Sequence, residues 1–509
     1  MQLYDRISTT DNELGTIKFI GQLPSAHAWA GTLVYGIEWD NSSRGKNDGT
    51  LDDVKYFEVD VIGAGSFMKA NNKKICKRRA SFIQSLYEEY HTKYEDQEIR
   101  FGTKIVDELG FDKLNRIQSN FMNLKSVSLS RKSIVNVYGD GDESSILNTL
   151  VNVINLDISF NLFNGLSVVQ DIIGNLRNLS SLNLNGNRFF TSNNSPLIHT
   201  NLSILKLSTT LITIPTVNEC ILPNLPNLSE LYLASNNYND TDISHLQLQS
   251  YPNIQIIDLS FNMLTIFPSL PINTLLLSDN YISSIPNQIQ SSIKTLDIRH
   301  NKLNSFKVID ELAIHVPNLT NLRINKNPVF EVDDEESMFV QLLARFNCHD
   351  HKESSTGLTY VNGSPLNNNE IQNAELYFIS KVKIGEYEIH NPVRWDALLQ
   401  KYNMEPINET ITTNVYDDNK IKLQIIHNKD HSIFSRVFLN NITILKLKGT
   451  LSRILLNNLS ILKFSVYYYM HGEEEDPEAK EYLDMNLFSQ INEFNLNYNQ
   501  RIYIEVFTQ

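Results

Sequence analysis

A chain of 509 residues is too long for one small domain, and its composition, 41% hydrophobic and 20% charged, fits globular protein rather than a largely disordered chain. The net charge of −14 argues against binding nucleic acid or anionic lipid by broad charge neutralisation. No run of 18 or more apolar residues is present to cross a membrane.

The opening Met1-Gln2-Leu3-Tyr4-Asp5-Arg6 lacks a basic flank followed by an apolar block, so no secretory signal is expected. Cys76, Cys220 and Cys348 form no CxxC pair and no disulfide framework. A reducing, cytoplasmic setting follows.

The first 78 residues are dense in glycine and aromatics. They run Gly15-Thr-Ile-Lys-Phe-Ile-Gly21, Gly36-Ile-Glu-Trp-Asp40, Gly45-Lys46-Asn47-Asp48-Gly49, Tyr56-Phe57 and Gly65-Ser-Phe67. Short strands joined by glycine turns predict a small β-barrel. Basic residues Lys73, Lys74, Lys77, Arg78 and Arg79 lead into a helical linker over 79–99.

Between 100 and 350 the chain repeats a unit L-x-L-x-x-N. Copies end at Asn161, Asn187, Asn236, Asn262, Asn280, Asn301 and Asn327, spaced by 26, 49 (two units), 26, 18, 21 and 26 residues. Leu205-Lys-Leu207 fits the frame with Thr210 in the Asn slot, and Val127-Ser-Leu129 opens the series with Lys132 there. This is the spacing of a leucine-rich repeat. The two leucines of each unit alternate inward on a short strand, and the Asn turns in to bond backbone groups of adjoining turns. One unit cannot bury its apolar face, but a stack of eight or nine can. Asn327-Pro328 followed by Asp333-Asp334-Glu335-Glu336 reads as a C-terminal cap.

Residues between the inward leucines line the concave face. One column contains Lys206, Tyr232, Asp258, Leu276, Asp297 and Arg323, and the next contains Ser260, Ser278, Arg299 and Asn325. Tyr232 and Leu276 are the candidate anchors there, with Arg299 and Arg323 as charged contacts. Such a surface suits a folded protein partner; the alternative is a solvated face.

Residues 351–418 read as a linker or helical spacer. From 419 to 509 the pattern is strand (Ile421–His427), strand near Arg436–Leu439, helix, and strands at Ile461–Val466 and Ile502–Val506. The helix carries its apolar face on Leu445, Leu447, Leu451, Ile454 and Leu455. This is a β-grasp order. The predicted architecture is therefore multidomain α/β: barrel, solenoid and β-grasp.

Other motifs point to little chemistry. Cys348-His349-Asp350-His351 supplies too few well-spaced ligands for a metal and reads as a surface loop. Gly63-Ala-Gly65-Ser-Phe-Met68 breaks the GxGxxG pattern at Met68. Gly139-Asp-Gly-Asp-Glu143 is too short for a calcium loop. Glu473-Glu-Glu-Asp476 reads as a solvated loop, or as a mimic of an acidic tail. No P-loop, nucleophile elbow or paired-acid motif occurs, so no catalysis, metal or cofactor is expected.

Gly45-Lys46-Asn47-Asp48-Gly49, with Gly15-Thr16, Gly21, Tyr56-Phe57 and Gly65-Ser66-Phe67 in order around it, resembles a CAP-Gly domain. The resemblance implies a groove for acidic, aromatic-ended protein tails such as the C-terminus of α-tubulin. It implies that Lys46 and Asn47 grip the ligand, that Phe67 is a groove aromatic and that Lys69 is a basic rim residue. Tyr56 and Phe57 offer either an apolar wall or barrel core. The family's Gly-x-Trp-x-Gly stretch is longer here; one register uses Trp29, the other puts Val34 in its slot.

CAP-Gly, leucine-rich repeats and a ubiquitin-like β-grasp in that order resemble the tubulin-folding cofactor E family. The resemblance implies a non-enzymatic chaperone that binds α-tubulin after the chaperonin step. It further implies heterodimer assembly with cofactors D, C and B and a small GTPase, and dissociation of existing dimers. The competing classes are a microtubule-associated CAP-Gly adaptor and a ubiquitin-pathway shuttle that binds proteasomes.

Overall fold

The computed structural model describes residues 1–24, 27–76, 78–91, 99–101, 104–106, 119–189, 195–331, 335–352, 357–404, 420–427, 433–439, 441–469, 480–494, 496 and 500–507. The chain divides into two compact units, Met1–Pro406 and Ile407–Gln509.

The first unit opens with four antiparallel strands in chain order: β1 (Arg6–Ser8), β2 (Leu14–Gln22), β3 (Leu33–Trp39) and β4 (Gly65–Lys69). The register of β2 against β3 slips between Ile17 and Phe19. That bulge sends two residues that would share a face to opposite faces. Ile17 joins Ile7, Tyr35, Ile37, Trp39 and Ile75 in the barrel core. Phe19 instead meets the rings of Tyr56 and Phe67 on the other side.

The stretch after residue 78 is not a linker. β5 (Ala80–Ser81) pairs in parallel with β7 (Ile134–Asn136), and α1 (Phe82–Tyr90) follows, its N-terminus capped by the Ser81 hydroxyl. Phe82, Ile83 and Leu86 are fully buried in the solenoid core. Residues 79–91 are thus the N-terminal cap: an open solenoid end would expose apolar surface, and this helix covers it.

Nine short parallel strands follow: β6 (Ser126–Ser128), β8 (Asn155–Asp157), β9 (Ser181–Asn183), β10 (Ile204–Lys206), β11 (Glu230–Tyr232), β12 (Ile256–Asp258), β13 (Thr274–Leu276), β14 (Thr295–Asp297) and β15 (Asn321–Arg323). Their central residues stack in one register, Leu156 on Leu182, Leu205, Leu231, Ile257, Leu275, Leu296 and Leu322. All are buried.

The Asn ladder runs beside them. Asn236 donates from Nδ2 to the carbonyls of Leu207 and Leu233, both at 3.0 Å. Its Oδ1 accepts from the N–H groups of Thr210 and Leu211 at 2.9 and 2.7 Å. One side chain so satisfies four backbone groups in two adjoining repeats. Asn262, Asn280, Asn301 and Asn327 bond the corresponding carbonyls.

The solenoid does not stop at 350. β16 (Tyr360–Val361) pairs with β15 and places Val361 opposite Leu322, and β17 (Ser364–Pro365) turns back on it. Helix α2 (Phe306–His315) and then α3 (Glu335–Arg345), α4 (Asn368–Lys383) and α5 (Pro392–Lys401) close this end. Buried Arg345 lies between the rings of Phe306 and Phe378 and bonds Asp310 at 2.7 Å. Buried Glu375 on α4 takes Arg394 and Lys401 from α5 at 2.7 and 2.5 Å. The described part of 351–418 is accordingly packed cap. Cys348 belongs to it: the residue is buried in the solenoid core, not on a surface loop.

The second unit is a five-stranded mixed sheet: β18 (Lys420–His427), β19 (Ile433–Leu439), β20 (Phe464–Tyr469), β21 (Lys480–Tyr482) and β22 (Gln500–Val506), in the order β19-β18-β22-β20-β21. β18 and β22 are parallel neighbours at its centre; the other pairs are antiparallel. Helix α6 (Ile444–Leu455) packs one face through Ile444, Leu447 and Leu451. Its buried face also carries Lys448 and Ser452, while Ile454 is exposed. That rotates the face from the one read off the sequence. Lys448 is held by the Phe464 carbonyl and Asp484, each at 2.6 Å. Strand β21 has no counterpart in the sequence reading, and the acidic run Glu473–Asp476 lies outside the described residues.

Candidate functional site

The Gly45–Gly49 loop is held by backbone bonds to β4. Lys46 and Asn47 N–H groups both donate to the Gly65 carbonyl, at 2.7 and 3.0 Å, and the Gly65 N–H returns to the Asn47 carbonyl at 2.8 Å. Two glycines are required for that fit. A Cβ on Gly45 would lie 1.8 Å from the Gly63 carbonyl oxygen, and Gly49 has a φ of +93° with the Phe57 carbonyl 2.0 Å from where a Cβ would sit.

The side chains then divide their work. Asn47 Oδ1 accepts from the Gly49 N–H at 3.1 Å, which closes the turn; its Nδ2 group bonds no other described residue. Asp48 accepts from the Thr50 N–H at 3.2 Å and pairs with Lys55 at 3.3 Å, so it shapes the loop. The Thr50 side chain, and then Lys55, hold its carboxyl below the usual range. Lys46 is exposed and has no carboxylate partner among the described residues.

Beside the loop stands an aromatic wall. Tyr56 and Phe67 meet edge to face at 5.5 Å between ring centroids, and Phe19 meets Tyr56 at 5.2 Å. Tyr56, Phe67 and Phe19 are half-buried, as a wall facing a ligand must be. Phe57 is not part of that surface. It is 6% exposed, packs behind Phe67 at 5.4 Å, and lies against Gly36, where a Cβ would strike its ring at 2.4 Å. The alternative of barrel core applies to it.

Lys69 lies two residues beyond Phe67 on β4, hence on the same face. Its ammonium is 5.5 Å from the centre of the Trp29 ring. Val34, the other register's occupant, is fully buried in β3 opposite Lys69. Trp29 therefore stands at the rim. The barrel thus carries an exposed Lys46 with no carboxylate partner among the described residues, an amide donor at Asn47, three half-buried rings and a second ammonium at Lys69. That set can hold a carboxylate and an adjacent aromatic ring.

On the solenoid, Tyr232, Leu276 and Arg323 fall in one column of the concave sheet face, as expected from the repeat. Tyr232 donates to Glu230 at 2.8 Å and lies under the Lys206 ammonium at 5.5 Å. Burial, then the bond to Glu230, push its hydroxyl up to about 12, so it stays a donor at neutral pH. Arg299 is not free: it forks onto Asp297 at 2.9 and 2.6 Å. Arg323 is exposed. The sequence reading missed Ile204 and Ile256, which precede the first inward residue of their repeats and are only half-buried. Their signal was an apolar residue in a slot that holds Asn, Ser or Thr in most other repeats. With Tyr232 and Leu276 they are apolar positions on this face, interleaved in the strand register with the charged Glu230 and Asp258.

Residues 3–73 match the family model of the CAP-Gly domain. The chain is 31% identical to Protein PAC2 of Saccharomyces cerevisiae over 77% of its own length and 76% of that protein. It is 29% identical to Tubulin-specific chaperone E of Xenopus laevis (65% of each chain) and 30% identical to that of Homo sapiens (64% of this chain, 63% of that one). The alignments with the two vertebrate proteins thus span just under two thirds of their lengths. Among solved structures, the leucine-rich repeat domain of APL1B aligns at 15% identity and TM-score 0.28 over 51% of this chain and 77% of that one. That likeness is too slight to add to the strand register.

Proposed function

The chain belongs to the tubulin-specific chaperone E family, and we propose that it is a tubulin-folding cofactor that binds α-tubulin. The flexible acidic tail enters the barrel groove, where Lys46 and the Asn47 amide take the terminal carboxylate and Phe67, Tyr56 and Phe19 take the last ring. Lys69 and Trp29 guide the residues before it. The folded body rests on the concave face around Tyr232 and Leu276, with Arg323 as a charged contact. Two modest contacts in one molecule raise each other's effective concentration.

Binding that favours separated α-tubulin over the heterodimer drives dissociation by linkage, and release to β-tubulin drives assembly. No chemical step belongs to this chain; a nucleotide cycle comes from a partner small GTPase, with cofactors D, C and B completing the assembly. The second unit, with two parallel central strands and a helix across one face, is read as a ubiquitin-like β-grasp that docks other proteins. The protein works in the cytoplasm beside the microtubule cytoskeleton.

The observation that carries this reading is the half-buried three-ring wall of Phe19, Tyr56 and Phe67 on the barrel that also carries the exposed Lys46. Size-exclusion chromatography with purified tubulin dimer tests it. Wild type should take α-tubulin into a new peak that β-tubulin leaves, and the Lys46→Ala/Asn47→Ala variant should give a weaker peak. A dimer that elutes unbound, with the protein sedimenting on polymer that does not depolymerise, would favour the adaptor class instead.

A further inference from the structure

The barrel is joined to the solenoid by more than the chain between them. Arg6 on β1 is fully buried and grips Asp40, just past β3, with both terminal nitrogens at 2.5 and 2.6 Å. The same guanidinium reaches across to the carbonyl of Gly186, in the turn after β9, at 3.3 Å. From that turn Arg188 approaches Asp40 at 3.5 Å and donates to the carbonyls of Asn187 and Thr209. Asp40 thus lies between a cation of the barrel and a cation of the solenoid.

Other contacts fix the same seat. Ser8 and Ser133 hydroxyls are 3.2 Å apart, and Arg79 pairs with Asp5 at 3.3 Å. The covalent link is short, because Cys76 is bonded to Ser8 and Ala80 already belongs to a strand pair with the solenoid. Beside the seat a cavity of about 600 Å³ is lined by Tyr4, Lys18 and Asp60 from one side and by Phe189, Leu211 and Thr213 from the other.

A tether between two binding modules needs none of this; a polar linker lets them find their ligand independently. Burying an arginine costs desolvation that only a well-made pair offsets, and here Arg6 Nε is buried without a hydrogen-bond partner among the described residues. We infer that Asp40 is a positioning residue which, through Arg6 and Arg188, fixes the tail groove at one distance and angle from the concave face, so that the tail and body of one α-tubulin molecule are recognised as a rigid pair of sites. This rests on the tubulin reading above. A rigid pair strengthens binding only for a client whose tail and body match the span, so the seat selects client conformation as well as identity.

The native cysteines allow a direct test on the full chain. Cys76 in the barrel and Cys220 in the solenoid are both half-buried and can be spin-labelled, whereas Cys348 is buried, its thiol pushed up to about 12 by burial. The distance distribution between the two labels should be narrow in wild type. It should broaden in Arg188→Ala, which leaves the Arg6–Asp40 pair inside the barrel, and in Asp40→Asn. A broad distribution in wild type would overturn the proposal whatever tubulin does.

Binding is then measured for three probes: a synthetic α-tubulin tail peptide, tubulin trimmed of its tails by limited proteolysis, and intact tubulin. Arg188→Ala should bind the first two as wild type does and lose about tenfold or more on the third. Equal loss on all three would reduce the seat to fold stability, and no loss on intact tubulin would show that the span is not used. If wild type binds neither the tail nor the trimmed body, the tubulin reading itself fails and its rigid recognition with it, while the label distances still report whether the barrel is fixed.

Discussion

At the residue scale, the groove depends on which aromatic faces outward. Tyr56 and Phe57 are adjacent, yet Phe57 turns into the space above Gly36 and Tyr56 joins the wall. Sequence left both roles open for both residues, since neighbours on an irregular segment have no fixed alternation. The bulge in β2 that brings Phe19 to the wall was equally hidden, because nothing in Ile17-Lys18-Phe19 marks a slip of register. The Gly45–Gly49 loop, by contrast, was legible: Asn47 and Asp48 bond the turn itself, and two of its positions have backbone clearances only glycine meets. A pair of truncations separates wall from core. Phe57→Ala should cost about 3–5 kcal/mol of stability, as deletion of a buried ring does, and weaken tail binding only through the loosened barrel. Phe67→Ala should keep most of the stability and lower affinity for an α-tubulin tail peptide about tenfold or more, as loss of a hot-spot ring does. Calorimetric titration beside thermal unfolding checks both; equal stability losses would put the two rings in one role.

At the element scale, the solenoid was legible because its two signals, inward leucines and a turn Asn, recur at every rung and report the same geometry. Its ends were not. The N-terminal cap presents only Phe82, Ile83 and Leu86 on one helical turn, too short a stretch for periodicity to speak, and the basic run before it looked like a linker. The final rung is Val361 without a second inward leucine. In the second unit, α6 buries Lys448 and Ser452 among its apolar residues, so its face is shifted from the one its apolar residues alone trace. The ladder itself gives two opposed predictions. Asn262→Ala should cost about 2–4 kcal/mol, since it strips bonds from the carbonyls of Leu233 and Leu259 and from the N–H groups of Asn236 and Tyr238. Thr210 fills an Asn slot incompletely: it donates to Leu207 at 2.7 Å, but the Asn187 N–H falls back on Leu184 at a long 3.3 Å. Thr210→Asn should therefore stabilise the chain by about 0.5–1.5 kcal/mol, read as a higher denaturant midpoint at unchanged slope. A lower midpoint would mean that the surroundings of Thr210, which lines one cavity with Phe189, forbid the amide.

At the scale of the whole molecule, the proposed client binding rests on two electrostatic features of opposite kind, and solution conditions should separate them. Asp40 is enclosed; burial alone would raise its carboxyl, but Arg6 and then Arg188 hold it below the ordinary range. A depressed carboxyl contributes stability that is complete above its unfolded value, near 4, and is lost as pH falls through the folded value. Wild type should therefore unfold several degrees above Asp40→Asn at pH 7, with the gap roughly constant down to about pH 5 and closing as pH falls through the depressed folded value. A gap that does not narrow as pH falls below about 4 would mean that shape, not charge, makes the seat. Salt acts on the other contact. The Lys46 ammonium is exposed, and at 1 M salt the screening length falls to about 3 Å, so tail-peptide affinity should drop several-fold between 0.05 and 0.5 M salt. The buried Arg6–Asp40 pair is screened far less, and the label distance across the seat should stay narrow over the same range. If the distance broadens as the tail is released, the seat and the groove share one electrostatic field, and the barrel's position would be set by its ligand rather than by its fold.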